Sequence, residues 1–153
     1  MAVRVQREPF DLAREVAALR TARKDVGAVV TFTGSVRDSA GGRDLVAMTL
    51  EHFPGMTEAE LARVEAEARQ RWPLQDCLVI HRYGRLLPGD DIVLVATASA
   101  HRQAAFSAAE FLMDYLKTSA PFWKQEELAD GTRSWVEAKD SDAGAADRWT
   151  RQT

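Results

Sequence analysis

Apolar and polar residues alternate from Val3 to Arg7, the period-two pattern of a short edge strand. Asp11 stands where a helix cap belongs, and Leu12, Val16 and Leu19 recur on one helical face up to about Thr21. Gly27-Ala-Val-Val-Thr-Phe-Thr33 is β-branched and apolar and predicts a buried strand. Gly34 to Asp44, with Gly41-Gly42 and mixed charges, predicts a mobile loop. Alternation returns from Leu45 to His52 and stops at Pro54-Gly55. Thr57 with Glu60 forms a capping-box pattern for a helix to about Trp72, which Pro73 ends. Cys77 to Tyr83 and Ile92 to Ser99 predict strands joined through the turn signal Leu87-Pro-Gly-Asp90. His101 to about Thr118 is the longest helical pattern. Trp123 to Leu128 and Arg133 to Ala138 flank Ala129-Asp-Gly131 and predict a hairpin. From Ser141 onward the chain is a polar tail with room for one short helix.

Strands and helices interleave, yet several neighbouring strands are joined by tight turns and must run antiparallel. A doubly wound parallel sheet is therefore disfavoured. The expected fold class is α+β, a mixed, mainly antiparallel sheet with helices packed against it. The 153 residues suit a single domain, 1–153, with its own core.

Composition narrows the function classes. The net charge of −3 lacks the basic excess of a general nucleic-acid binder, though it leaves room for a local basic pocket. No apolar run approaches the ~20 residues that span a bilayer. The N-terminal MAVRVQREPFD lacks the apolar core of a signal peptide, so a cytoplasmic location is expected, with neither membrane nor nucleic acid as partner. The single cysteine, Cys77, cannot form an internal disulfide; in its apolar run it reads as a buried, inert thiol.

The chemistry on offer is cationic. MDYLKTSAPFWKQE, Met113 to Glu126, sets Lys117 and Lys124 on either side of an Ala-Pro break, among Tyr115, Phe122 and Trp123. Partial desolvation by such neighbours strengthens the field of a lysine used for acid–base or anion chemistry. The bland alternative for Lys117 is a favourable position at a helix C-terminus. In an alternating strand Lys124 shares a face with Phe122 and opposes Trp123. His101 and Arg102 open the long helix, where cations oppose the dipole unless an anion sits there. A phosphate or carboxylate site and a surface accident both fit. Arg37 lies in the loop after a strand, where ligand groups and solvated arginines are both common. Phe32 on that strand is most simply core. Met113 shares a helix face with Lys117, and core packing explains it as well as ligand contact does; Phe32 and Met113 are both candidates for a pocket wall. His52 and His81 read as structural histidines. With no HxxxH or CxxC, a metal site has little support, and no cofactor is expected. There is no GxSxG and no nucleotide-binding glycine loop.

Arg102 and Lys117 lie at opposite ends of the helix, roughly 22 Å apart at ~1.5 Å per residue. One small molecule hardly reaches both within one chain. Either the cations serve two sites, or the chain forms a twofold homodimer with Lys117 and Lys124 of one chain facing His101 and Arg102 of its mate, the arrangement expected here.

Taken together, GAVVTFTGSVRD (27–38), MTLEHFPGMTE (48–58), RWPL (71–74), IHRYG (80–84), PGD (88–90), SAHR (99–102), MDYLKTSAPFWK (113–124) and WVEA (135–138) resemble the MoaE family, the catalytic large subunits of molybdopterin synthase. The resemblance runs through nearly the whole chain. It implies an α/β-hammerhead fold and the conversion of cyclic pyranopterin monophosphate (precursor Z) into molybdopterin. Sulfur would come from a small ubiquitin-like subunit whose C-terminal Gly-Gly ends in a thiocarboxylate, within a heterotetramer built on a central dimer of this chain. Carried over by motif, Lys117 and Lys124 would be catalytic. Ser35, Val36, Arg37, His101, Arg102, Lys117, Lys124, Gln125 and Glu126 would bind substrate. Ser35 stands where relatives often carry lysine, and Ser119 and Gln125 replace arginines seen in some, so the rim is expected to be less positive. A non-catalytic scaffold that docks a ubiquitin-like partner is the competing reading.

Overall fold

The computed structural model describes residues 2–136, 147, 149 and 150. Twelve elements follow in order: β1 (Ala2–Gln6), α1 (Leu12–Arg20), β2 (Ala28–Ser35), β3 (Ser39–Ala40), β4 (Arg43–His52), α2 (Met56–Arg71), β5 (Leu74–Arg82), β6 (Gly84–Leu86), β7 (Asp91–Ser99), α3 (Arg102–Thr118), β8 (Phe122–Leu128) and β9 (Arg133–Val136). They form two sheets. The first has the order β1-β5-β7-β2; the second runs β3-β4-β8-β9, with β6 also on β4. Only β1 with β5 is parallel among the pairs, so the α+β expectation holds.

The first sheet is covered on both faces, which is why β5 and β7 are apolar along their length rather than alternating. Cys77, Val79, Val93 and Val95 face α2 and α3, joining Leu61, Val64, Phe111 and Leu112. Leu78, Ile80, Leu94 and Ala96 face the other way, onto Leu19 of α1. Each valine, leucine, isoleucine or phenylalanine so withdrawn from water contributes about 1.5–3 kcal/mol. A third core lies at the second sheet: Val36, Leu45, Leu50, Leu86 and Leu128.

Several boundaries and environments differ from the sequence reading. Gly34 to Asp44 is not a loop. β2 runs on to Ser35, and β3 turns back onto β4 through Gly41-Gly42, with Ala40 opposite Arg43. Both glycines have positive φ, 58° and 78°, as a two-residue hairpin between right-twisted strands requires. β2 is a sheet edge and half covered rather than buried; Phe32 is 40% exposed and belongs to a rim, not the core. α2 is capped by Glu58, whose carboxylate accepts from the Gly55 amide at 2.6 Å. Thr57 lies inside the helix, its hydroxyl donating to the Phe53 carbonyl, and Glu60 pairs with Arg63. The expected single turn between β5 and β7 contains β6, which leaves the first sheet to join the second. The tail is not wholly polar: Asp147, Trp149 and Thr150 are helical, and Trp149 is buried edge-on against Trp72 and Phe111. Residues 137 and 138 of the expected last strand lie outside the described residues.

Candidate active site

Two cations are brought together where α3 ends and β8 begins. The Thr118 hydroxyl folds back onto the Asp114 carbonyl at 2.8 Å, and the Ser119 amide caps α3 on the Tyr115 carbonyl at 2.9 Å. Pro121 cannot continue the helix, and a tight Phe122–Ala120 backbone bond of 2.8 Å starts β8. β8 pairs with β4, with Phe122 opposite His52, Lys124 opposite Leu50 and Glu126 opposite Met48. Alternation then turns Phe122, Lys124 and Glu126 inward, while Trp123 turns outward to meet Phe53 edge-on at 4.9 Å. Lys117, on the last turn of α3, reaches the same space.

The third wall comes from the end of β2. The register against β7 slips between Gly34 and Ser35. A side chain at Gly34 would place its Cβ 2.9 Å from Val93 Cγ1, so glycine permits this close packing. The slip puts the Ser35 hydroxyl on Asp91 Oδ1 at 2.9 Å. Val36 is then locked to the turn between β6 and β7 by bonds to Asp90 and Gly89, and its side chain is buried in the third core. Arg37 emerges on the cavity side.

Together these elements enclose a cavity of about 540 Å³. Its charged lining is three cations, Arg37, Lys117 and Lys124, against one carboxylate, Glu126, in a chain whose net charge is −3. A concave basic surface of this kind concentrates small anions. A smaller adjoining cleft of about 60 Å³ is bounded by Phe32, Met113, Leu116 and both lysines, which fits those two apolar residues as wall.

His81 lies on both cavities. Its ring stacks on Phe122, with centroids 3.7 Å apart and planes 17° from parallel. Nδ1 lies 2.8 Å from the Arg82 carbonyl; because a carbonyl only accepts, Nδ1 carries the proton. Burial pushes the imidazole pKa down to about 4, reinforced by Lys124, Lys117 and His52 and opposed by the Arg82 carbonyl. It is therefore neutral near pH 7. Alternation along β5, which puts His81 on the same side as Cys77 and Val79, was the available signal for this placement. His52 is held differently, with Nδ1 on Thr57 Oγ1 at 3.1 Å and its ring 4.5 Å from Tyr83.

Of the other sequence candidates, Gln125 points to the opposite face of β8, and neither it nor Val36 lines the cavity. His101 and Arg102 are exposed at the far end of α3 and line neither cavity of their own chain; His101 caps the helix without a side-chain bond. Cys77 lies away from the cavity, sealed in the core, where burial and the nearby Glu65 carboxylate push its thiol up to about 12. Among the described residues no group of His, Cys, Asp and Glu is placed to hold a metal ion, and no helix is long and apolar enough to cross a membrane.

Fold and cavity define a small α+β protein with a cation-lined cavity. The family model described as MoaE protein matches residues 5–119. A molybdopterin synthase catalytic subunit from Rhizobium meliloti is 62% identical over 98% of this chain and 96% of its own length. The solved MoaE protein of Burkholderia ambifaria is 51% identical, covering 97% of this chain and 98% of its own, with a TM-score of 0.81. A molybdopterin synthase structure from Staphylococcus aureus is 32% identical over 87% of this chain and 95% of its own, with a TM-score of 0.79. The chain belongs to the MoaE family.

Proposed function

We propose that this chain is the catalytic subunit of a molybdopterin synthase. It transfers sulfur from the thiocarboxylated C-terminus of a small ubiquitin-like subunit to cyclic pyranopterin monophosphate, forming the dithiolene of molybdopterin. The observation that carries this reading is the convergence of Arg37, Lys117 and Lys124 on one cavity of about 540 Å³, a volume suited to a small phosphorylated heterocycle. The family and the names of its close relatives support the same reading.

Each residue has a role its position allows. Arg37 holds the phosphate by charge-assisted hydrogen bonds. Lys117 stabilises negative charge, or moves a proton, as the donor's sulfur attacks the substrate carbon. Lys124 orients the donor's tail carboxylate or polarises a substrate oxygen, with Glu126 beside it on the same face of β8. The Ser35 hydroxyl, spent on Asp91, helps shape the rim and adds no cation. The donor supplies the nucleophile, so a sealed Cys77 is no obstacle. His101 and Arg102 complete the phosphate site from the second copy of a homodimer, because one helix cannot bring both of its ends to one ligand. The assembly is then a central dimer with a small subunit at each end, working in the cytoplasm.

The test is reconstitution. Purified protein, thiocarboxylated small subunit and precursor Z are incubated, and the product is oxidised to a fluorescent pterin. Product formation is expected. Stable partner binding with no product would overturn the assignment in favour of a docking scaffold.

A further inference from the structure

The mechanism above leaves the imidazole of His81, which lines the cavity, unused. Its donor is committed: Nδ1–H points at the Arg82 carbonyl, 2.8 Å away. Stacking on Phe122 fixes the ring plane. The remaining nitrogen, Nε2, carries a lone pair at the far edge of the ring. Among the described residues it has no hydrogen-bond partner, yet it is not sealed in protein, where the unpartnered buried atoms are Glu65 Oε2 and Gln75 Oε1. The residue is only 5% exposed overall, and it lies on both cavities. The opening available to Nε2 is therefore the site itself.

The charged groups of the lining are mostly donors. An arginine and two lysines suit a phosphate, but a bare set of cations reads nothing else about the molecule that carries it. A neutral acceptor on β5, lining both cavities and stacked on Phe122 of β8, supplies that second reading.

We propose that His81 is a substrate-binding residue whose Nε2 accepts a hydrogen bond from an N–H or O–H of the substrate's ring system, so that the site selects a heterocycle and not merely a phosphate. This rests on the function proposed above. Burial beside two ammonium groups keeps the imidazole unprotonated at working pH, which preserves the acceptor. Loss of one hydrogen bond at a buried polar site weakens binding by roughly 10- to 100-fold.

The test uses the full chain as wild type, His81→Phe and His81→Gln. Phe keeps a flat ring on Phe122 and removes the acceptor; Gln restores an acceptor oxygen. Equilibrium binding is measured for precursor Z and, separately, for inorganic phosphate, and turnover with thiocarboxylated partner is followed alongside. Expected for His81→Phe is a roughly 10- to 100-fold loss of precursor Z binding with phosphate binding unchanged, a matching rise in KM, and partial recovery in His81→Gln. Equal loss of both ligands, or wild-type affinity for precursor Z in His81→Phe, overturns the proposal. The two readings fail separately: wild-type protein that binds precursor Z but makes no product sinks the function while the binding comparison still decides His81. Wild-type protein that does not bind precursor Z sinks both.

Discussion

The indole N–H of Trp149 donates to Asp114 Oδ2 at 2.7 Å, one helical turn before Lys117 on α3. The Trp149 carbonyl in turn accepts from Arg71 Nη1 at 3.1 Å, and the Arg71 guanidinium stands 4.9 Å over the Phe111 ring. The tail is thus tied to the stretch of helix that presents a candidate catalytic lysine. Trp149→Phe keeps most of the apolar contact with Trp72 and Phe111 and loses the N–H bond, so it is expected to cost about 1 kcal/mol. Trp149→Ala also opens a cavity and is expected to cost about 3–5 kcal/mol. Urea unfolding midpoints check the order; a smaller loss in Trp149→Ala than in Trp149→Phe would contradict it.

Lys117 and Lys124 reach one cavity from different elements, so they should act on the same turnover without sharing a structural role. Lys117→Ala and Lys124→Ala are each expected to lower kcat by about 10²-fold or more with little change in unfolding midpoint. Lys117→Arg is expected to restore little, because a planar fork does not replace a compact ammonium in a shaped site. Single-turnover product formation and thermal melts measure the two effects. Near-normal turnover of Lys117→Ala would remove it from the chemistry.

Acid should destabilise the fold through His81. Its pKa falls from 6.5 to about 4 on folding, through burial first and then the fields of Lys124, Lys117 and His52, with the Arg82 carbonyl acting the other way. The unfolded chain takes up the proton first as pH falls below 6.5, so stability is lost between pH 6.5 and about 4 and this group costs nothing above that window. The full loss is about 3 kcal/mol. Glu65 acts in the opposite sense, since burial raises its pKa from 4.5. The informative quantity is therefore the difference between wild type and His81→Gln. Chemical unfolding from pH 7.5 to 4.5 should show the wild type losing more stability than the variant; parallel curves would refute the burial account.

Cys77 is expected to be silent. A buried thiol pushed up to about 12 offers almost no thiolate at pH 8. A thiol reagent should label it only after denaturation, and Cys77→Ser should retain sulfur transfer. Rapid labelling of the native protein, or a folded but inactive Cys77→Ser, would point to a persulfide route instead.

Much of this was legible in the sequence because local chemistry and tertiary structure agree. β5 and β7 are apolar on both faces since helices cover both, and Asp11 caps α1 where expected, accepting from the Arg14 amide at 3.1 Å. The Ala-Pro break places both lysines at one junction. Other features depend on contacts that a linear pattern does not encode. Gly41-Gly42 fits a floppy loop or a tight hairpin equally until Asp44 finds Ser39 across the strand. Phe32 belongs to a strand that reads as buried, yet the edge position leaves it on a rim. Trp149 looks isolated in a polar tail until Trp72 and Phe111 are brought beneath it. His81 reads as a structural histidine because alternation along β5 gives the side it faces and not the cavity it lines there.

The central claim is one anion site assembled from two copies of the chain, and mixed dimers test it most directly. Lys117→Ala and Arg102→Ala proteins, each inactive alone, are unfolded together, refolded and assayed for sulfur transfer, with heterodimer formation verified by mass. Random pairing gives about half heterodimers, each holding one intact site and one doubly defective site, so about a quarter of wild-type activity should return. No recovery in a sample shown to contain heterodimers would contradict the shared site.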